Sequence, residues 1–173
     1  MADPTGEVSN EASSARRWMA DCRTAATYRL IHLVGRFLRP MTLGARVIVL
    51  DDANRVFLIR HTYVPGWHLP GGGVEAGETT LAAMHRELRE EANLAAIGTP
   101  QVHGIFFNAR YSNRDHVVVY VVRDFADLGG TPVADYEIAE RGFFALDALP
   151  KGTSGATRRR LAEIAGEPIS DMW

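Results

Sequence analysis

The tract RELREEANL, Arg86 to Leu94, constrains this chain most, because it gathers Glu87, Glu90 and Glu91 within one short stretch that reads as a helix. Like charges three or four residues apart on a helix cost about 0.2–0.5 kcal/mol per pair, so Glu87 repels both Glu90 and Glu91. At about 3.6 residues per turn the three acids fall on one flank of an apolar stripe formed by Leu81, Met84, Leu88 and Ala92, while His85, Arg86 and Arg89 fall mainly on the other. Arg86 reaches Glu90 at i, i+4, but Arg89 has no acid at that spacing, so pairing within the helix does not account for the cluster. A cation does. Carboxylate oxygens are hard ligands that suit Mg²⁺ or Mn²⁺, and magnesium takes one or two protein carboxylates before completing its shell with water and substrate phosphate. The bland alternative is a solvated acidic face.

The helix is expected to begin near Thr79 or Thr80, both good caps, and to end near Asn93. Before it, WHLPGGG reads as a short strand running into a glycine loop, in which Gly71, Gly72 and Gly73 let backbone approach a ligand closely. ARVIVLDDANRVFLIRH reads as a hairpin, with Val47–Leu50 and Val56–Ile59 flanking the turn formers Asp51 to Asn54. QVHGIFFNA and HVVVYVVRDF are further strands, DLGGTPVADYE a loop and RGFFAL another strand. ATRRRLAEIAG is a closing helix stopped by Gly166.

At 173 residues, with 46% apolar and 23% charged content, the chain is long enough for one domain and a terminal excess. A net charge of -2 supplies no global basic field, so stable nucleic-acid binding is not expected and a small ligand is. Cys22 is the sole cysteine, which excludes an internal disulfide and a cysteine zinc site and fits a reducing, cytoplasmic setting. Residues 1–23 are polar and small, lack the apolar run of a secretory signal, and read as a mobile tail. Over 24–40 the pattern YRLIHLVGRFL, with Arg29, His32 and Arg36, describes an amphipathic helix ended by Pro40. It is too short and too charged to span a bilayer. Its apolar face suits packing on its own domain, 41–173, or on a second copy as a homodimer; attachment to a membrane surface is the weaker alternative.

Read backwards from the cluster, the chain carries Gly72, five residues, Glu78, seven residues, Arg86-Glu87-Leu88, one residue, Glu90-Glu91, Ala92, Asn93 and Leu94. This resembles the Nudix box, G-x5-E-x7-R-E-U-x-E-E-x-G-U with U aliphatic, at eight of nine specified positions. The departure is Asn93 in place of glycine, at a helix end that wants left-handed dihedrals; asparagine tolerates these best after glycine. WHLPGGGVEAGET resembles the family's lead-in, and ADYEIAERGFFALDALP its downstream strand and turn, so the likeness spans most of residues 45–150.

The resemblance implies an α/β fold, an α/β/α sandwich around a mixed sheet, and a divalent-metal-dependent hydrolase that cleaves the diphosphate linkage of a nucleoside diphosphate joined to another group. It further implies that Glu90 and Glu91 bind Mg²⁺ (or Mn²⁺) and that Glu87 is a third ligand or the base. The Gly71 carbonyl joins the metal shell, with Gly72 beside it, and a Glu78–Arg86 salt bridge fixes the loop. A later acid completes the site: Glu137 is the first choice, with Asp135 and Glu140 as rivals. Arg60, Arg110 and Arg114 are candidate phosphate forks. Tyr63, Trp67, Phe106, Phe107 and Tyr111 are candidate stacking rings, although Trp67, Phe106 and Phe107 sit in strand patterns that favour the core. His68, His103 and His116 have no metal-ligand spacing. The rival reading, a non-catalytic nucleotide-sensing module, would ordinarily have lost box acids, and all are present. An isoprenoid diphosphate isomerase would need a cysteine that Cys22, outside the domain, does not supply.

Overall fold

The structure, a computed structural model, describes residues 41–130 and 136–173. The tail at 1–23, the helix expected over 24–40, and Asp135 lie outside the described residues. Ten elements follow in order: β1 (Thr42–Val49), β2 (Arg55–His61), β3 (Gly71–Gly73), α1 (Thr80–Ala92), β4 (Leu94–Ala96), β5 (Gln101–Phe107), β6 (Asp115–Val122), β7 (Phe125–Asp127), β8 (Ile138–Ala145) and α2 (Gly155–Ile164).

β1 lies inside a four-stranded mixed sheet of order β3-β1-β6-β5, antiparallel to β3 and parallel to β6; β2 pairs with β8, and β4 with β7. The hairpin expected from β1 and β2 exists only at its turn, where Leu50 bridges Val56 and the Asp51 amide donates to the Arg55 carbonyl at 3.1 Å. Beyond that the strands part into different sheets. The reason lies in β1 itself: Ala45, Val47, Ile48 and Val49 are all fully buried, so both its faces need cover and both its edges need partners.

The glycine run also differs from its expected loop, since Gly71–Gly73 is a strand registered against Gly44–Arg46. Gly71 has φ +139, and a Cβ there would lie 2.1 Å from the Ala45 carbonyl oxygen, which only glycine avoids.

α1 starts at the Thr79 cap, whose hydroxyl accepts from the Ala82 amide at 3.1 Å, and stops at Asn93 with φ 58 and ψ 32. Its buried face is Ala83, Met84, Glu87, Leu88, Glu91 and Ala92. Two expectations are corrected here. Leu81 is exposed, and Glu87 and Glu91 lie within the buried face rather than beside it.

Side chains alternating along β1 feed two cores. Ala45, Val47 and Val49 meet Phe57, Ile59, Met84 and Leu88 under α1, and Ile48 and Leu50 meet Leu58, Trp67, Phe106 and Leu161 under α2. Each such aliphatic side chain contributes about 1.5–3 kcal/mol by leaving water. The result is the expected α/β/α layering, with Trp67 and Phe106 in the core. No helix among the described residues is long and apolar enough to cross a membrane.

Candidate functional site

β3 runs antiparallel to β1 and sets its backbone against the last two turns of α1. The Gly71 amide donates to Glu91 Oε2 at 2.7 Å in a buried bond. A Cβ on Gly72 would lie 2.3 Å from Glu87 Oε1, so the absence of a side chain there is what admits the glutamate. Arg86 ties the loop to the helix: its Nε and Nη2 each meet a Glu78 oxygen at 3.1 Å, Nη2 reaches the Gly73 carbonyl at 3.0 Å, and Nη1 meets Glu87 Oε1 at 2.7 Å. Although the wheel sets Arg86 mainly on the opposite flank, its long side chain crosses to the acids, Glu90 included at 3.4 Å.

Glu87, Glu91, Glu137, Arg46, His61 and Tyr63 line a cleft of about 340 Å³. Burial, with Glu87 and Glu137 nearby, pushes the Glu91 carboxyl up to about 7, against the Gly71 amide and Arg46, which pull it down. Burial likewise raises Glu87 despite its contact with Arg86. His61 is buried with Nε2 3.6 Å from Glu91 Oε1 and Nδ1 without a hydrogen-bond partner; burial, then Arg46, lowers its pKa.

Among the described residues, no three His, Cys, Asp or Glu side chains converge closely enough to cage an ion by themselves. The donor chemistry nevertheless suits a hard divalent cation. Two buried carboxylates, raised above their ordinary range by burial, are hard oxygen donors, and one or two carboxylates are all that magnesium asks of a protein. Glu87 and Glu91 are the residues that could hold one, and Glu137 lines the same cleft.

The other expected residues are distributed less simply. Glu90 is the most exposed of the three α1 acids and does not line the cleft. The Gly71 carbonyl accepts from Arg46 Nη1. Arg60 pairs with Glu140 across β2 and β8, which occupies both, and neither Arg60 nor Arg114 lines the cleft. Arg110 and Tyr111 line a neighbouring cavity of about 450 Å³. Sequence reasoning passed over Arg46 and His61. The available signal was a charged side chain inside the otherwise apolar β1, and an imidazole that closes β2.

A family model described as the NUDIX domain matches residues 40–163. The chain belongs to this family. Among NUDIX proteins of known structure, a MutT NUDIX hydrolase from Burkholderia pseudomallei is similar with a TM-score of 0.61 at 28% identity, covering 71% of this chain and 97% of that one. A Bacillus subtilis protein provisionally named an 8-oxo-dGTP diphosphatase is 34% identical over 76 residues, 44% of this chain and 50% of that protein. An RNA pyrophosphohydrolase from Halorhodospira halophila is 50% identical over 48 residues, 28% of this chain and 26% of that enzyme. The chain thus spans half or less of the length of these curated relatives. Against the NUDIX pattern, Asn93 adopts the left-handed conformation that the usual glycine would supply.

Proposed function

We propose that this protein is a NUDIX hydrolase that cleaves a diphosphate linkage in a nucleoside diphosphate joined to another group, with Mg²⁺ or Mn²⁺. The observation that carries this reading is that Glu87, Glu91 and Glu137 line one cleft together with Arg46. Three acids and a guanidinium around one small space suit an anionic substrate bound through a metal, and the similarity to named diphosphatases and pyrophosphohydrolases supports the same class. When bound, the metal would neutralise phosphate charge and acidify a coordinated water.

The chain's own residues do the rest. Glu87 and Glu91 would hold the cation, and the Gly71 amide orients the Glu91 carboxylate. Arg46, whose Nη1 donates to the Leu69 and Gly71 carbonyls, lines the same cleft and would offer its guanidinium charge to phosphate. Glu137, on the segment leading into β8 and lining the cleft, would accept the proton of the attacking water. Glu78 and Arg86 hold the glycine strand to α1 and take no part in the chemistry. We place the activity in the cytoplasm, where Cys22 stays reduced.

The test is a screen of the purified full chain against sugar nucleotides, dinucleoside polyphosphates, nucleoside triphosphates and ADP-ribose with each metal. Metal-dependent release of a monophosphate product that Glu91→Gln abolishes is the expected result. Binding without turnover across that panel would instead establish the sensing module.

A further inference from the structure

Arg160 lies on α2 with 0% of its surface exposed, a costly place for a guanidinium. Its Nη2 donates to Glu163 Oε1 and its Nη1 to the Met172 carbonyl at 2.9 Å. Its face lies 3.6 Å from the Phe106 ring centroid and 5.7 Å from that of Trp173. Glu163 also accepts from the Ser170 amide at 3.0 Å and meets His103 Nε2 at 2.7 Å.

Half of these contacts hold the segment after α2, through Ser170, Met172 and Trp173, and those to Phe106 and His103 anchor the cluster on β5. The backbone completes the attachment: the Phe107 amide donates to the Asp171 carbonyl at 2.8 Å, the Trp173 amide to the Phe107 carbonyl at 3.0 Å, and Arg159 Nη2 to the Trp173 carbonyl. A buried ion-pair cluster adds little net stability over well-packed apolar side chains, so its value here is positional.

What it positions is Trp173. That residue walls two adjoining cavities, of about 530 and 450 Å³, with Asn108 and Tyr111 common to both. Arg46 lines both cavities and the glutamate cleft as well. Phe106, tilted at a ring separation of 6.2 Å, and Arg160 pack against Trp173, which also lines both cavities. A diphosphate held at Glu87 and Glu91 would carry its next group past Arg46 into this space.

We propose that Trp173 is the stacking platform for the base of the nucleoside, and that Arg160 and Glu163 are positioning residues that hold it there. The inference rests on the diphosphate hydrolase reading and deepens it: the group past Arg46 is a nucleoside with its base on an aromatic wall. Stacking tolerates any base, so the platform selects nucleotides over other diphosphates without choosing among bases.

The test is calorimetric binding by the full chain with Mg²⁺ of two non-hydrolysable probes. One is α,β-methylene-ADP; the other is methylenediphosphonate, which has the phosphorus groups and no nucleoside. Wild type is expected to prefer the nucleotide by about tenfold, the scale of one base stacked on one aromatic ring. Trp173→Leu loses that preference, Trp173→Phe keeps most of it, and Arg160→Met loses it although residue 173 is still tryptophan. A preference that survives Trp173→Leu overturns the platform. Arg160→Met that lowers the melting temperature while keeping the preference overturns the positioning role, and Arg160→Lys serves if that variant does not fold. Wild type that binds methylenediphosphonate through Glu91 with no nucleotide preference sinks this inference alone; wild type that binds neither probe sinks the hydrolase reading with it.

Discussion

The Gly71 amide donates to the Glu91 carboxylate at 2.7 Å, joining the glycine strand to the last turn of the acidic helix inside the protein. One bond therefore links two segments that the chain separates by the Glu78 loop, and it aims a carboxylate whose burial would otherwise leave it protonated. Glutamine at this position can keep the bond through its carbonyl while losing the charge. Glu91→Gln is expected to fold normally and to lose roughly 100-fold or more in kcat/KM, since even partners of metal ligands cost about 10–100-fold. Steady-state kinetics with Mg²⁺ checks this; activity within a few fold of wild type would remove Glu91 from the site.

The same carboxylate gives the metal-free protein a distinctive pH dependence. Its folded pKa of about 7 stands above the ordinary 4.5, so between these values the folded state binds more protons than the unfolded state. Stability is therefore highest below the lower value and is lost as pH rises through the upper one, by up to about 3 kcal/mol. Melting temperatures in EDTA should fall from pH 5 to pH 8, Mg²⁺ should restore the loss, and Glu91→Gln should flatten the profile. A flat profile in the unaltered protein would contradict the burial argument.

Adjacent glycines are expected to fail differently. Gly71→Ala places a methyl 2.1 Å from a backbone carbonyl at φ +139 and should abolish or severely weaken folding. Gly72→Ala meets only the movable end of Glu87, so the fold should survive while the displaced carboxylate lowers kcat. Melting curves paired with kinetics separate the two outcomes, and equal behaviour of the two variants would argue against this account of the strand.

Arg86 spreads its guanidinium over Glu78, Glu87 and the Gly73 carbonyl. Arg86→Lys keeps the charge but loses the fork, and should cost about 1–3 kcal/mol by chemical denaturation. Loss of activity with unchanged stability would instead give Arg86 a direct catalytic part.

Asn93 closes α1 at φ 58 and extends its amide to the Gly129 carbonyl at 3.1 Å. Asn93→Gly should leave stability within about 0.5 kcal/mol, because easier dihedrals offset the lost bond, whereas Asn93→Val should cost about 1–2 kcal/mol or more. Urea denaturation measures both, and a valine variant as stable as the parent would refute the cap argument.

Local rules carried the reading as far as they reach. Thr79, the apolar spacing of Met84, Leu88 and Ala92, and the left-handed tolerance of Asn93 all act within a few residues, so α1 and both its ends were legible. The box spacing marked Glu78, Arg86, Glu87, Glu90 and Glu91 alike, and that spacing alone does not say which of the acids is buried. Strand partners were not legible: Val47–Leu50 and Val56–Ile59 look like two arms of a hairpin, and which edges they pair depends on β3, β6 and β8, far along the chain. Three-residue strands such as Leu94–Ala96 and Phe125–Asp127 are too short to show a period of two.

The sequence by itself determined the acidic helix, its caps, the family and the α/β/α fold class, because periodicity, capping and motif spacing are properties of neighbouring residues. Only the tertiary structure decided which acids turn inward, that Arg46 and His61 join them, and that a buried Arg160 holds Trp173 beside the same cleft. Burial and long-range contact set those, and neither is written in any short stretch of the chain.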